Sequence, residues 1–109
     1  MNRQRKDIPM IRGYGKIEFN LMKRLDLYMG DIFITNDCRL FGGSNIGKYA
    51  YVTFNSAKVS VLRLLWHNFE EDVELGDKIE YLCENGGMCC NMKHFSLLKK
   101  EPMIFAFDT

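Results

Sequence analysis

Apolar and polar residues alternate with a period of two along much of the chain. In Tyr14 to Leu21, YGKIEFNL, Ile17 and Phe19 share one side while Lys16, Glu18 and Asn20 take the other, which predicts a strand. Leu25 and Leu27 continue the alternation against Arg24, Asp26 and Tyr28. Gly30-Asp31 then marks a turn before a further strand over Ile32 to Thr35. Gly42 to Gly47, GGSNIG, has loop composition, and the aromatic and β-branched run Tyr49 to Asn55 predicts another strand.

The next segment carries two periods at once. Ala57, Val61, Leu62, Leu65, Trp66 and Phe69 fall on one helical face behind Ser56 as N-cap, yet KVSVLRL also alternates. The expectation is a strand over Lys58 to Leu64 that runs into a turn or short helix at Trp66 to Glu71. DKIEYLCE and CCNMKHFSLLK then form a hairpin around Gly86-Gly87. Pro102 to Thr109 alternates again and reads as an edge strand or a segment packed back on the core. Five or six short, closely spaced strands point to an all-β barrel or sandwich.

A length of 109 residues fits one domain, drawn over 13–109 behind a flexible basic tail at 1–12. The formal net charge of +1 argues against duplex-DNA binding through a broad basic field. No run of apolar residues is long enough to span a membrane, and no apolar run follows the basic N-terminus to make a secretory signal. Four cysteines without such a signal read as reduced thiols, so the expected location is the cytoplasm or a cytoplasmic ribonucleoprotein granule.

Three segments in order, GKIEFN, GDIFIT and LGDKIEYLCENGGMCCNMKHFSLLKK, resemble a cold-shock domain, particularly the divergent domains of the upstream-of-N-ras family. Gly15, Ile17 and Phe19 match that family's first strand. Asp31-Ile32-Phe33-Ile34 matches its second RNP motif, with Thr35 where a histidine would stand. Leu75, Gly76, Asp77, Ile79, Glu80 and Tyr81 match its fourth strand. The resemblance implies a small five-stranded OB-like barrel. Residues 36–73 exceed the family's connection, which implies an inserted hairpin or strand–helix unit. Leu25 and Leu27 stand where the family's first RNP motif carries aromatics.

The function so implied is binding of single-stranded RNA, or of single-stranded DNA, by aromatic stacking and lysine–phosphate contacts. Each stacked base contributes about 1–3 kcal/mol. Phe19, Phe33 and Tyr28 are the candidate stackers, with Lys16 and Lys23 at the phosphates. Phe19 shares the face of Ile17 and so also reads as core, whereas Phe33 opposes Ile32 and Ile34 and reads equally as an exposed platform. The alternative is a degenerate barrel without RNA affinity of its own. It would act as a dimer or a ribonucleoprotein-complex subunit, contacting its partner through the 36–73 insertion at Trp66 and Phe69.

Catalysis, cofactor and metal are all expected to be absent. His67 and His94 sit in no nucleophile motif, and GGSNIGK lacks the spacing of a phosphate loop. Cys83, Cys89, Cys90 and His94 lack the paired Cys-x-x-Cys of a zinc knuckle. Adjacent Cys89 and Cys90 would also point to opposite faces of a strand. Buried or partly buried thiols are the simpler expectation.

Overall fold

Met22, Leu25 and Met29 are buried while Lys23, Arg24, Asp26 and Leu27 are exposed, a helical rather than a strand spacing. In the computed structural model, which describes residues 4–33 and 36–99, this stretch is helix α1, Phe19–Met29. It ends at Gly30, whose φ of 68° suits a residue without a Cβ and whose N–H donates to the Asp26 carbonyl. The strand expected from Tyr14 is therefore absent. Ile11 and Tyr14 form an isolated bridge across Arg12-Gly13, and residues 15–18 are irregular up to the helix. Ile32 and Phe33 lie in a turn; Ile34 and Thr35 fall outside the described residues.

The remaining elements are β1 (Asn45–Ile46), β2 (Tyr49–Phe54), β3 (Ala57–Ser60), α2 (Val61–Phe69), β4 (Lys78–Tyr81), a short 3-10 helix at Gly86–Met88, and β5 (Phe95–Leu98). Antiparallel β1-β2-β3 make one sheet and the β4–β5 hairpin another, with Lys78 opposite Leu98 and Tyr81 opposite Phe95. The expectation of an all-β five-stranded barrel is corrected here. Among the described residues the strands form two separate sheets, and α2 packs against β2, β3 and β5, filling the space that a closed barrel would line with strands. The fold is a small mixed α/β domain.

The strand expected over Lys58 to Leu64 is real only to Ser60, which caps α2 by accepting a hydrogen bond from Arg63 N at 3.3 Å. Burial decides the contest between periods. Val61, Leu62, Leu64, Leu65 and Phe69 are all buried, so α2 is apolar on most sides and lies inside the core. Gly87 lets the 3-10 helix lie on the start of β2. A Cβ there would sit 2.5 Å from Tyr49 Cδ1 and 2.9 Å from the Lys48 carbonyl oxygen.

Two polar residues in α2 are also fully buried, and both hold the N-terminal segment. Asn68 Oδ1 accepts from Ile17 N at 2.8 Å and Gln4 Nε2 at 2.7 Å; its Nδ2 donates to the Gly15 and Leu64 carbonyls, each at 2.9 Å. His67 Nδ1 accepts from Val73 N at 3.0 Å, so Nε2 carries the proton and donates to the Pro9 carbonyl at 2.7 Å. Arg5 donates to the His67 carbonyl and pairs with Asp72 at 2.8 Å. The segment read as a loose tail is thus fastened to α2 from Gln4 onward. The edge strand expected over Pro102 to Thr109 lies outside the described residues.

Candidate metal centre

The chain brings three thiols and one imidazole together from four places. Cys38 lies in an extended stretch ahead of β1, Cys83 just beyond β4, Cys89 at the end of the 3-10 helix, and His94 immediately before β5. Their ligand atoms all lie within 4.8 Å of one another. His94 Nδ1 is 3.4 Å from Cys38 Sγ and 3.4 Å from Cys89 Sγ. In a tetrahedral zinc site, bond lengths of about 2.3 Å to sulfur and 2.1 Å to nitrogen separate S and N ligands by about 3.6 Å. Two edges of that tetrahedron are therefore already close to length.

Backbone pairing fixes the four ligands. Cys90 N donates to the Arg39 carbonyl at 2.7 Å and Phe41 N to the Met88 carbonyl at 2.8 Å, and Leu40 bridges Cys89. The segment carrying Cys38 thus lies along the one carrying Cys89. Leu82 N donates to the His94 carbonyl at 2.8 Å, which extends the β4–β5 ladder by one step and brings Cys83, the next residue, close to His94. Fully buried Asn91 closes the arrangement: Nδ2 donates to the Asp37 carbonyl at 2.7 Å, Oδ1 accepts from Lys93 N at 2.9 Å, and its carbonyl accepts from His94 N at 2.9 Å.

The thiols are not equivalent. A hydrogen bond from the Asn85 side chain, foremost, and others from the cluster itself bring Cys38 down to about 7, against the opposing effect of desolvation. Burial pushes Cys89 up to about 11. Cys90 points away from the cluster into the core, where desolvation raises it to about 12. The alternation expected for Cys89 and Cys90 thus holds, and it places one thiol in the cluster and the other in the apolar interior. The expectation of no metal does not fit this geometry. What sequence reading missed was Cys38, whose distance along the chain hides it from any linear ligand spacing. Its contribution is set by the pairing of residues 39–41 with 88–90.

The residues expected to bind nucleic acid are divided. Lys16, Phe19 and Lys23 line one surface depression of about 310 Å³ at the start of α1. Phe19 is 73% exposed there, with Lys23 Nζ 5.4 Å from its ring centroid. Tyr28 packs edge-on against Phe41 at 5.4 Å, and half-buried Phe33 packs edge-on against Phe69 at 5.3 Å. Phe33 therefore acts as a packing residue. Phe33→Ala is expected to cost about 2 kcal/mol in a urea titration, whereas Phe19→Ala leaves the midpoint unchanged. Equal midpoints for the two variants would overturn this assignment. At the expected partner surface, Phe69 is buried, while half-buried Trp66 lies 5.9 Å from the Phe95 ring, its buried Nε1 without a hydrogen-bond partner among the described residues.

Fold and site together define a small α/β domain built around a Cys3His cluster. No family model matches the chain, and no solved structure does. It is similar to a protein of Acanthamoeba polyphaga mimivirus described as "Uncharacterized protein R328", at 30% identity over 115 residues. The alignment takes in 90% of this chain and 34% of that protein, so the chain spans about a third of its viral relative's length. Among the described residues no helix is long and apolar enough to cross a membrane.

Proposed function

We propose that this chain is a zinc-stapled domain, in which Cys38, Cys83, Cys89 and His94 hold one Zn²⁺ in a structural role. The observation that carries the reading is the convergence of three sulfurs and His94 Nδ1 within 4.8 Å. Thiolate and imidazole ligands favour zinc over hard cations such as Mg²⁺ or Ca²⁺. Four protein ligands complete a tetrahedral shell and leave no position for a reacting water, which is the pattern of a structural centre. The metal would join the Cys38 segment to the hairpin, alongside backbone hydrogen bonds and the Asn91 and Asn85 side chains.

Cobalt titration of metal-free protein tests this. Loading is expected to produce the intense visible bands of tetrahedral Co²⁺ and the near-ultraviolet thiolate charge-transfer band, at one equivalent. Because Cys89 is protonated at neutral pH when no metal is present, binding releases its proton, and acidification drives the metal off. Cys90→Ser should bind cobalt at the same stoichiometry but melt lower, since a hydroxyl then replaces a thiol in the core. Pale octahedral cobalt, or loss of binding in Cys90→Ser alone, would contradict the ligand assignment.

The exposed Phe19 between Lys16 and Lys23 favours a second reading, in which this zinc-stapled domain also takes single-stranded nucleic acid at the start of α1. Phe19→Ala should then weaken binding of a short RNA by about 1–3 kcal/mol while the fold is unchanged. Equal affinity of parent and variant would remove Phe19 from that role.

A further inference from the structure

Away from the cysteines, a cavity of about 400 Å³ is lined by Arg12, Tyr14, Arg63, Glu74 and Asp77, among others. Arg12 and Gly13 form a two-residue turn, closed by Ile11 N donating to the Tyr14 carbonyl at 2.8 Å and Tyr14 N to the Ile11 carbonyl at 2.9 Å. Both residues have positive φ, 49° and 89°. Glycine adopts that backbone freely, but an arginine there is strained, and such strain gathers at binding sites. The turn places an exposed Arg12 beside the cavity.

Arg63 reaches the same cavity from the first turn of α2. Its Nη1 donates to the Asp77 carbonyl at 2.9 Å, which fixes the guanidinium. Among the described residues neither Arg12 nor Arg63 forms an ion pair. The acidic groups nearby are differently engaged or fewer in charge: the Asp77 carboxylate accepts from Lys99 Nζ at 2.9 Å and from Glu74 N at 2.8 Å, leaving Glu74 as the opposing charge on the lining. The phenol of half-buried Tyr14 also lines the space; burial keeps its proton on, against the Arg63 charge and a hydrogen bond with the Ser60 backbone. Two guanidiniums and a hydroxyl around one opening match the donor set that phosphate oxygens accept, with the forked geometry of arginine suited to two oxygens at once.

We propose that Arg12, Arg63 and Tyr14 form a phosphate-binding site, independent of the metal centre. Its ligand is a phosphate group, carried either by a small phosphate ester or by a nucleic-acid backbone.

The test is NMR of the arginine Nε–H signals in zinc-loaded full chain, titrated separately with inorganic phosphate and with a short single-stranded oligonucleotide at low salt. The site predicts saturable shifts of the Arg12 and Arg63 signals with at least one probe. Response to both identifies a site that takes free phosphate. Response to the oligonucleotide alone identifies a backbone-phosphate site. Arg12→Ala, an exposed change that does not touch the core, should weaken binding of the responding probe about tenfold at unchanged zinc content and melting temperature. Glu74→Gln should tighten it by removing the opposing charge. No shift of either arginine with either probe overturns the proposal. So does an Arg12→Ala variant that binds like the parent.

Discussion

Replacing Cys89 with serine is expected to abolish stoichiometric zinc binding and to leave the chain unfolded, or nearly so, at physiological temperature. Structural zinc in small domains contributes an apparent binding free energy of about 10–16 kcal/mol at neutral pH. The whole stability of a domain this size is about 5–15 kcal/mol. Loss of one ligand therefore removes an amount comparable with the entire margin. Cys89 is the most sensitive of the four because it is 1% exposed and sits in the middle of the pairing of residues 39–41 with 88–90. Zinc content by mass spectrometry and a thermal melt followed by circular dichroism check it. A Cys89→Ser protein that retains one zinc and melts with the parent would refute the centre outright.

Asn68→Ala is expected to be nearly as damaging, by a different route. The side chain makes four hydrogen bonds in the interior, two of them to main-chain groups of Gly15 and Ile17. Truncation leaves the buried Ile17 N–H and Gly15 carbonyl without their partner. At about 1–3 kcal/mol for each stranded group, the loss is about 2–6 kcal/mol. Denaturant unfolding should show the midpoint falling sharply, and hydrogen exchange should show the amide of Ile17 losing protection before the rest. A variant with full protection at Ile17 would show that the segment is held by something other than Asn68.

These effects bear on what could be read from the chain. β2 and the β4–β5 hairpin were legible because their alternation had no competitor. Phe19–Met29 was not, because FNLMKRLDLYM satisfies two periods, and Ile17 with Phe19 made a strand-like start by coincidence. Ile17 turns out to be 2% exposed in irregular backbone, and Phe19 73% exposed on the helix. In Val61–Phe69 the helical face is visible in the sequence, but Ser56, the cap it suggests, lies four residues before the actual cap, Ser60. The resemblance to a cold-shock barrel rested on short strand motifs, two of which fall in a helix-bearing or turn segment here. The three C-terminal ligands were all noticed as candidates. The centre stayed hidden because its fourth member arrives through tertiary pairing, which leaves no trace in local spacing.

The placement of the ligands has a mechanical consequence. With metal bound, tension that reaches Cys38 would pass through the ion to His94 rather than along the backbone between them. The three-stranded sheet would then be spared that load until a metal–ligand bond gives way, whereas α2 is loaded from the N-terminal segment through Asn68, His67 and Arg5. Complete loss of the metal would release hidden length on the order of 190 Å between Cys38 and His94. The metal would thus act as a fuse for the chain between Cys38 and His94, while the N-terminal segment and α1 yield first.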